Sequence, residues 1–320
     1  MFLILSMYLC IASAFTVGKT ALEYADPMFL VGTRMCIAGL LLLGSLYLFN
    51  KSSFKFKKKD WWLFAQLAVV GVFLSYASEF WAMKHNVSSV KACLFFNLSP
   101  FFTAILAYFM INEKLSRRKW IGLAVGFLGM APMLLTNVEA ESVAGNFGIV
   151  SIPEIAMLFS VITFAQSWII FKQLMTRGYA PPMINGLTML GGGVLSLISS
   201  FLVEGFPPII AATGSGPDAT FYNFIASYVS VSYAALAVFA LYIAYLILVT
   251  NVFAYNLYGY LMNSYSTTFL SFAGFTTPIF GGILGWFFRG EQVTWHFWAS
   301  VFLVFVGLYI FYKDELKTFK

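Results

Sequence analysis

Residues 97–113 read NLSPFFTAILAYFMINE, and residues 275–291 read FTTPIFGGILGWFFRGE. Pro100 falls on Pro278 and Glu113 on Glu291, both at an offset of 178 residues. At the same offset Trp120 meets Trp298 and Gly129 meets Gly307. Earlier in each copy, Asp26-Pro27-Met28 matches Pro181-Pro182-Met183 and Thr33 falls on Thr188, at an offset of 155. The two offsets differ by 23 residues, close to the length of the Gly- and Pro-rich stretch at 204–230. Landmarks aligned at fixed spacing argue for a duplicated unit.

Composition says what that unit is made of. Of 320 residues, 60% are hydrophobic, 19% aromatic and only 10% charged. Soluble domains carry about 25% charged residues. With a mean hydropathy of +0.83, the chain is excluded from soluble enzymes, disordered chains and disulfide scaffolds. Its apolar runs are continuous rather than alternating, which argues for spanning helices over a membrane barrel. A span needs about 20 apolar residues. Ten candidates follow: 2–18, 27–49, 61–82, 87–111, 119–137, 151–173, 181–203, 231–257, 264–288 and 295–312. The run starting at Phe2 has no basic segment before it and is read as the first span, not a secretory signal. Cys10, Cys36 and Cys93 lie within apolar segments and read as free core thiols.

The net charge of +6 is not a nucleic-acid signature, because the basic residues cluster between spans, as cytoplasmic loops do. With the N-terminus inside, the inner segments hold 14 of the 19 Lys and Arg residues, among them Lys55, Lys57, Arg117, Arg118, Lys172, Arg177 and Lys313. Lys19, Arg34, Lys84, Lys91 and Arg289 lie toward the outside, together with Glu139, Glu141, Glu154, Glu204 and Asp218. Both termini are therefore expected inside, and the span number even.

Five spans per unit is an odd number, so the second copy enters the membrane upside down relative to the first. Inverted repeats are typical of secondary transporters, in which two halves rock around a midplane site. Channels also contain repeats, which leaves them as an alternative. The expected fold class is an all-α polytopic membrane protein: ten transmembrane helices as two inverted five-helix repeats. The expected domains are 1–137, an outer linker 138–150, 151–312 with its outer loop 204–230, and a cytoplasmic tail 313–320.

The segment NLSPFFTAILAYFMINEKLSRRKWIGLAVGFLGM at 97–130 resembles the end of an EamA-type repeat of the drug/metabolite transporter superfamily. That pattern has a Pro early in the fourth span, a Glu at its end and a Gly-rich fifth span. TTPIFGGILGWFFRGEQVTWHFWASVFLVFVGLYI at 276–310 is similar more loosely. The Trp-Gly pair common early in this family's first span is absent here, where the chain reads CIASAFTVGK at 10–19. The resemblance implies a carrier of small organic molecules, and broadly a likeness to the family's S-adenosylmethionine carriers.

Candidate site residues follow from charge and depth. Arg34, Glu79 and Lys91 are charges within spans and should face the bundle interior, pair or snorkel, since charge facing lipid costs about 2.5–3.5 kcal/mol or more. Glu79 would attract a cationic substrate group, and Arg34 or Lys91 a carboxylate, which together suit a zwitterion. A structural ion pair is the competing reading. Asn97 sits about 15 Å into its span, one turn from Pro100, and Pro100 and Pro278 are the expected helix breaks, freeing backbone carbonyls that line cavities. Ser160, Thr163, Tyr242, Tyr245 and Thr277 lie at similar depth and can bind substrate or bond between helices. Trp168 is a candidate inner-gate group.

Enzyme readings have little support. His85 and His296 are the sole histidines, and neither a His-Glu-x-x-His motif nor a phosphate-binding loop occurs. No catalytic residue, metal or cofactor is expected. The expected partners are a small-molecule substrate and the lipid bilayer, without nucleic acid. The expected function is alternating-access transport of an amino-acid derivative across the bacterial cytoplasmic (inner) membrane. The narrow choice is S-adenosylmethionine, in exchange for S-adenosylhomocysteine. The alternatives are efflux of amino acids or toxic organic cations and, from a different class, an intramembrane enzyme.

Overall fold

The computed structural model describes residues 2–111, 116–129, 131–134, 146–147, 150–205, 233–264, 274 and 276–318. Helix α1 spans Phe2–Ala21 and α2 Pro27–Phe49. Helix α3 runs from Trp61–Gln66 through a π-helical stretch, Leu67–Leu74, into Ser75–Lys84. Helices α4 (Ser89–Phe96), α5 (Ser99–Ile111) and α6 (Arg117–Leu128) follow. A two-residue antiparallel hairpin pairs Asn146–Phe147 with Val150–Ser151. Beyond it lie α7 (Ile152–Thr176) and α8 (Pro181–Ser199, with a π-helical end Ser200–Glu204). Helix α9 joins Tyr233–Tyr245, a π-helical Leu246–Ala254 and Tyr255–Ser264. Helices α10 (Thr276–Arg289) and α11 (Trp295–Thr318) complete the set.

Local chemistry sets the ends. Asn86 takes φ 72° and closes α3, with Asn86 N–H donating to the Met83 carbonyl and Val87 N–H to that of Ala82. That pair of bonds is a Schellman motif. Gly178 (φ 88°) does the same for α7, where Tyr179 N–H reaches the Leu174 carbonyl. The start of α7 is a capping box between Ser151 and Glu154. Two other helix starts are capped from far along the chain. Glu204 accepts from Met28 N–H at 2.7 Å and Phe29 N–H at 3.1 Å at the head of α2. Glu291 accepts from Ser89 N–H and Val90 N–H, both at 3.0 Å, at the head of α4. A carboxylate at a helix N-terminus satisfies orphan N–H groups and complements the dipole.

Helices that correspond by the sequence offsets pack on one another. Helix α2 crosses α8 so closely that a Cβ on Gly39 would lie 2.8 Å from the Gly186 carbonyl oxygen. Helix α6 meets α11 likewise, with Gly122 facing the Gly307 carbonyl. Small residues at such crossings allow backbones to approach in a bilayer. Helix α1 also packs on α10, and α3 on α7. Buried apolar side chains such as Met35, Met83, Leu94 and Met157 fill the space between helices, while Phe49, Phe201, Leu202, Trp286, Phe287 and Phe302 are exposed, as lipid-facing residues are.

Among the described residues, six helices are long and apolar enough to cross a membrane: Phe2–Ala21, Pro27–Phe49, Lys58–Lys84, Ile152–Thr176, Pro181–Glu204 and Ala237–Met262. Four expected spans, 87–111, 119–137, 264–288 and 295–312, are not among these six. The span at 87–111 is two helices, broken at Asn97 and Leu98. Pro100 has no N–H to donate to the carbonyl four residues back, and its ring disfavours continuous helix there. The span at 119–137 is helical over Arg117–Leu128 and again over Ala131–Leu134. The span at 264–288 is helical from Thr276, and 265–273 lie outside the described residues. Helix α11 runs on to Thr318, past the expected end at 312. Most of the linker 138–150 and of the loop 204–230 lies outside the described residues, as does Glu113.

Candidate functional site

Two charges reach one cavity from different helices. Arg34 lies seven residues into α2 and is 2% exposed; Glu79, in the last part of α3, is 6% exposed. Both line a cavity of about 130 Å³ enclosed by α1, α2, α3, α4, α5, α7, α9 and the start of α10. The Arg34 guanidinium stacks over the rings of Tyr76 at 4.8 Å and Phe80 at 4.5 Å, and among the described residues its Nε has no acceptor. Among the described residues no carboxylate lies within 4.0 Å of Arg34, and no cation within that distance of Glu79. The cavity thus presents a guanidinium and a carboxyl group that do not touch.

Aromatic rings form the rest of the wall. Phe15 faces Phe96 at 5.1 Å, Phe96 faces Phe164 at 5.2 Å, Phe164 faces Trp168 at 5.8 Å, and Trp168 lies 4.3 Å from Tyr258. Tyr76 donates its hydroxyl proton to the Tyr255 hydroxyl at 2.6 Å. Asn97, Ser99 and Pro100 line the cavity at the α4–α5 break, with Thr103 and Thr277 beside them. The broken helix therefore brings irregular backbone to a cavity, the setting in which a bilayer tolerates it. Such a wall offers π-faces to planar rings and to cations.

The structure brings Arg34, Glu79, Asn97, Pro100, Trp168 and Thr277 together at this cavity. It places the remaining candidates elsewhere. Lys91 pairs with Glu154 at 2.5 Å, both side chains buried. Ser160 meets Ser75, whose hydroxyl lies 3.2 Å from the Ser160 carbonyl oxygen. Thr163 donates to that same carbonyl at 2.9 Å. Tyr242 lies against Tyr24, ring centres 5.9 Å apart, and Tyr245 is 2.8 Å from Ser13 Oγ. Pro278 is buried in the first turn of α10, where a missing N–H breaks nothing. Lys91, Ser160, Tyr242 and Tyr245 thus join helices, Thr163 bonds within its own helix, and none of the six lines the cavity.

Sequence reading missed Tyr8, Tyr76, Phe96, Phe164, Tyr255 and Tyr258, all of which line the wall. Helical spacing carried a signal for three of them. Tyr76 sits one turn before Glu79, Phe164 one turn before Trp168, and Tyr255 one turn before Tyr258, on shared faces.

At the end of the bundle that holds the α1–α2 and α3–α4 turns, ionic contacts join the two copies. Besides Lys91–Glu154, Arg289 donates to Glu23 at 3.0 Å and to Thr20 at 2.8 Å. Glu204 and Glu291 cap helices of the other copy there. Within the first copy, Lys19 donates to the Met83 and Val87 carbonyls at 2.5 and 2.7 Å, and Lys84 to the Leu22 carbonyl at 2.8 Å. At the opposite end, Arg177 and Tyr179 donate to the buried Asp60.

Comparison with known proteins agrees with a transport cavity. A protein of Chlamydia muridarum named S-adenosylmethionine/S-adenosylhomocysteine transporter is 28% identical over 308 residues, covering 96% of this chain and 89% of that one. A protein of the same name from Chlamydia trachomatis serovar L2 is also 28% identical, covering 96% and 86%. A probable amino-acid metabolite efflux pump of Salmonella typhimurium is 22% identical, covering 92% and 89%. A solved crystal structure superposes with a TM-score of 0.64 at 14% identity, covering 100% of this chain and 97% of that one, a likeness of fold alone. The model of the EamA-like transporter family matches residues 1–135 and again 151–313. Two family matches over nearly the whole chain, around an aromatic cavity in an apolar helical bundle, place this membrane protein among transporters of small molecules: it belongs to the EamA-like transporter family.

Proposed function

We propose that the chain exchanges S-adenosylmethionine for S-adenosylhomocysteine by alternating access across the bacterial cytoplasmic membrane. The carrying observation is the unjoined Arg34 and Glu79 in one aromatic cavity. Arg34 offers a planar donor fork to the amino-acid carboxylate, and Glu79 accepts from the ammonium group. The rings take the adenine face and the sulfonium by stacking and cation–π attraction. The names of the two chlamydial relatives support the same cargo. The reading includes ten spans as two inverted five-helix repeats, 1–137 and 151–312, with both termini inside. Helix pairs α2–α8 and α6–α11 then relate the halves, and Asn97, Pro100, Trp168 and Thr277 line the substrate path. Lys91, Ser160, Tyr242 and Tyr245 serve as joints between the moving parts.

The test is uptake of labelled S-adenosylmethionine by cells expressing the chain, then efflux of preloaded label on adding external S-adenosylhomocysteine. Saturable uptake with efflux stimulated by S-adenosylhomocysteine is expected. Glu79→Gln and Arg34→Ala are each expected to reduce uptake at low substrate at least tenfold, the order of a lost hydrogen bond to a charged group. Unchanged transport in both variants overturns the assignment of the two charges. Absence of any uptake, with the chain verified in the membrane, overturns the cargo. Outward movement of amino-acid metabolites, the activity in the Salmonella relative's name, is then the next measurement.

A further inference from the structure

A second, smaller cavity of about 40 Å³ adjoins the first and shares four wall residues with it: Tyr76, Phe164, Trp168 and Tyr255. The hydroxyl bond between Tyr76 and Tyr255 stands where the two meet. Beyond it lies Asn185, 92% buried on α8. Asn256 fixes this amide. Asn256 Nδ2 donates to the Val252 carbonyl at 2.8 Å and the Asn251 carbonyl at 3.3 Å, so its Oδ1 is left to accept from Asn185 Nδ2 at 3.1 Å. Among the described residues no donor reaches Asn185 Oδ1, and its second amide proton has no acceptor. Asn185 is thus held in a single orientation with one acceptor and one donor left open beside the small cavity, where a ligand of matching pattern would complete them.

We propose that Asn185 is the purine-reading residue of the cargo site: its amide pairs with the amino group and adjacent ring nitrogen of adenine, while Trp168 covers the ring face. This inference rests on the cargo reading above and extends it. An Asn amide pairs bidentately with an amino group and the ring nitrogen beside it, as it does with adenine's amino group and N7 in DNA; here the nitrogen is N1. The spacing suits the cargo's order of groups. Gly39 lies against Gly186, beside Asn185, and Gly39 is five residues beyond Arg34, about 8 Å along α2. An amino-acid end at Arg34 and Glu79 thus lies one short chain and a sugar away from a base at Asn185. Tyr76, stacked on Arg34 at one side and bonded to Tyr255 at the other, is the wall that gives way when the base passes.

The test uses the full chain, purified in detergent, and the competitors S-adenosylhomocysteine, S-inosylhomocysteine, adenosine and inosine against labelled adenosine. Inosine carries an oxo group and a ring N–H where adenine carries an amino group and a bare nitrogen. Its edge therefore reverses the pattern. The wild-type chain is expected to favour the adenine compounds about tenfold or more, the discrimination of a bidentate pair. Asn185→Leu is expected to abolish that preference while leaving the Arg34-dependent gain of S-adenosylhomocysteine over adenosine. A wild-type chain without preference, or a variant that keeps it, overturns the proposal. If Asn185→Leu does not fold, Asn185→Ser removes the same pair of groups with less bulk. A chain that binds adenosine selectively but moves no S-adenosylmethionine in vesicles keeps the purine site and loses the transport reading.

Discussion

At the scale of single residues, the charges within spans split into two kinds. Lys91 is joined to Glu154, whereas Arg34 and Glu79 stand apart in the cavity. Removing one member of a buried pair leaves an uncompensated charge and costs about 3–5 kcal/mol. Lys91→Met alone is therefore expected to lower thermal stability sharply in a detergent melting assay. Adding Glu154→Gln, which preserves the capping box, is expected to recover most of the loss. A double variant no more stable than the single one would show that the pair does not act as a unit. Arg34 and Glu79 were legible in the sequence because a charge inside an apolar span needs a reason. The tyrosines and phenylalanines of the wall were legible only through the one-turn spacing of Tyr76, Phe164 and Tyr255, because with aromatics at 19% of the chain a single ring carries no distinguishing mark. Asn185 was hidden for another reason. Its neighbours Asn251 and Asn256 are 66 and 71 positions away in the chain, and only the fold of α8 against α9 brings them together.

At the scale of elements, the break between α4 and α5 and the close glycine crossings matter most. Pro100→Ala restores an N–H that can close the helix through Asn97 and Leu98. It is expected to raise the melting temperature by a few degrees, as removing a helix breaker does, and to lower transport, because the backbone leaves the cavity wall. Retained transport in a more stable protein would separate the break from function. Gly122→Val is expected to abolish stable folding, since its Cβ would lie 2.5 Å from the Gly307 carbonyl oxygen. Gly44→Ala, with open space around it, is expected to melt at or slightly above the wild type, because alanine is the better helix former by about 1 kcal/mol. The helices and the α4–α5 break could be read from apolar runs and one proline. The wide π-helical turns at Leu67–Leu74, Ser200–Glu204 and Leu246–Ala254 could not, because a uniform apolar run does not say where its hydrogen bonds lengthen their reach.

At the scale of the whole molecule, the proposed orientation makes one prediction with a binary outcome. Glu23 and Lys57 are both exposed, at opposite ends of the bundle. In a background with Cys10, Cys36 and Cys93 replaced, Glu23→Cys is expected to react with a membrane-impermeant maleimide in intact cells, and Lys57→Cys only in inverted vesicles. The reverse pattern would turn the chain over and move the capping carboxylates Glu204 and Glu291 to the cytoplasmic face. The duplication was legible in four landmarks at one offset. The ionic contacts that join the copies at one end were not, because they link positions with no common spacing.

The wide turns also bear on how these helices tolerate change in length. An ordinary helix that gains or loses one residue swings everything beyond it to a new face, by about 100°. A π-helical stretch already holds surplus chain within its turns, since each bond reaches one residue further than in an α-helix. In α3 that slack lies just before Tyr76 and Glu79, and in α9 just before Tyr255 and Tyr258. Lineages of this chain that differ by a single-codon deletion within 67–74 or 246–254 would keep the same rings and carboxylate aimed at the cavity, whereas the same deletion at Ser75, past the slack, would turn Tyr76 and Glu79 away from it.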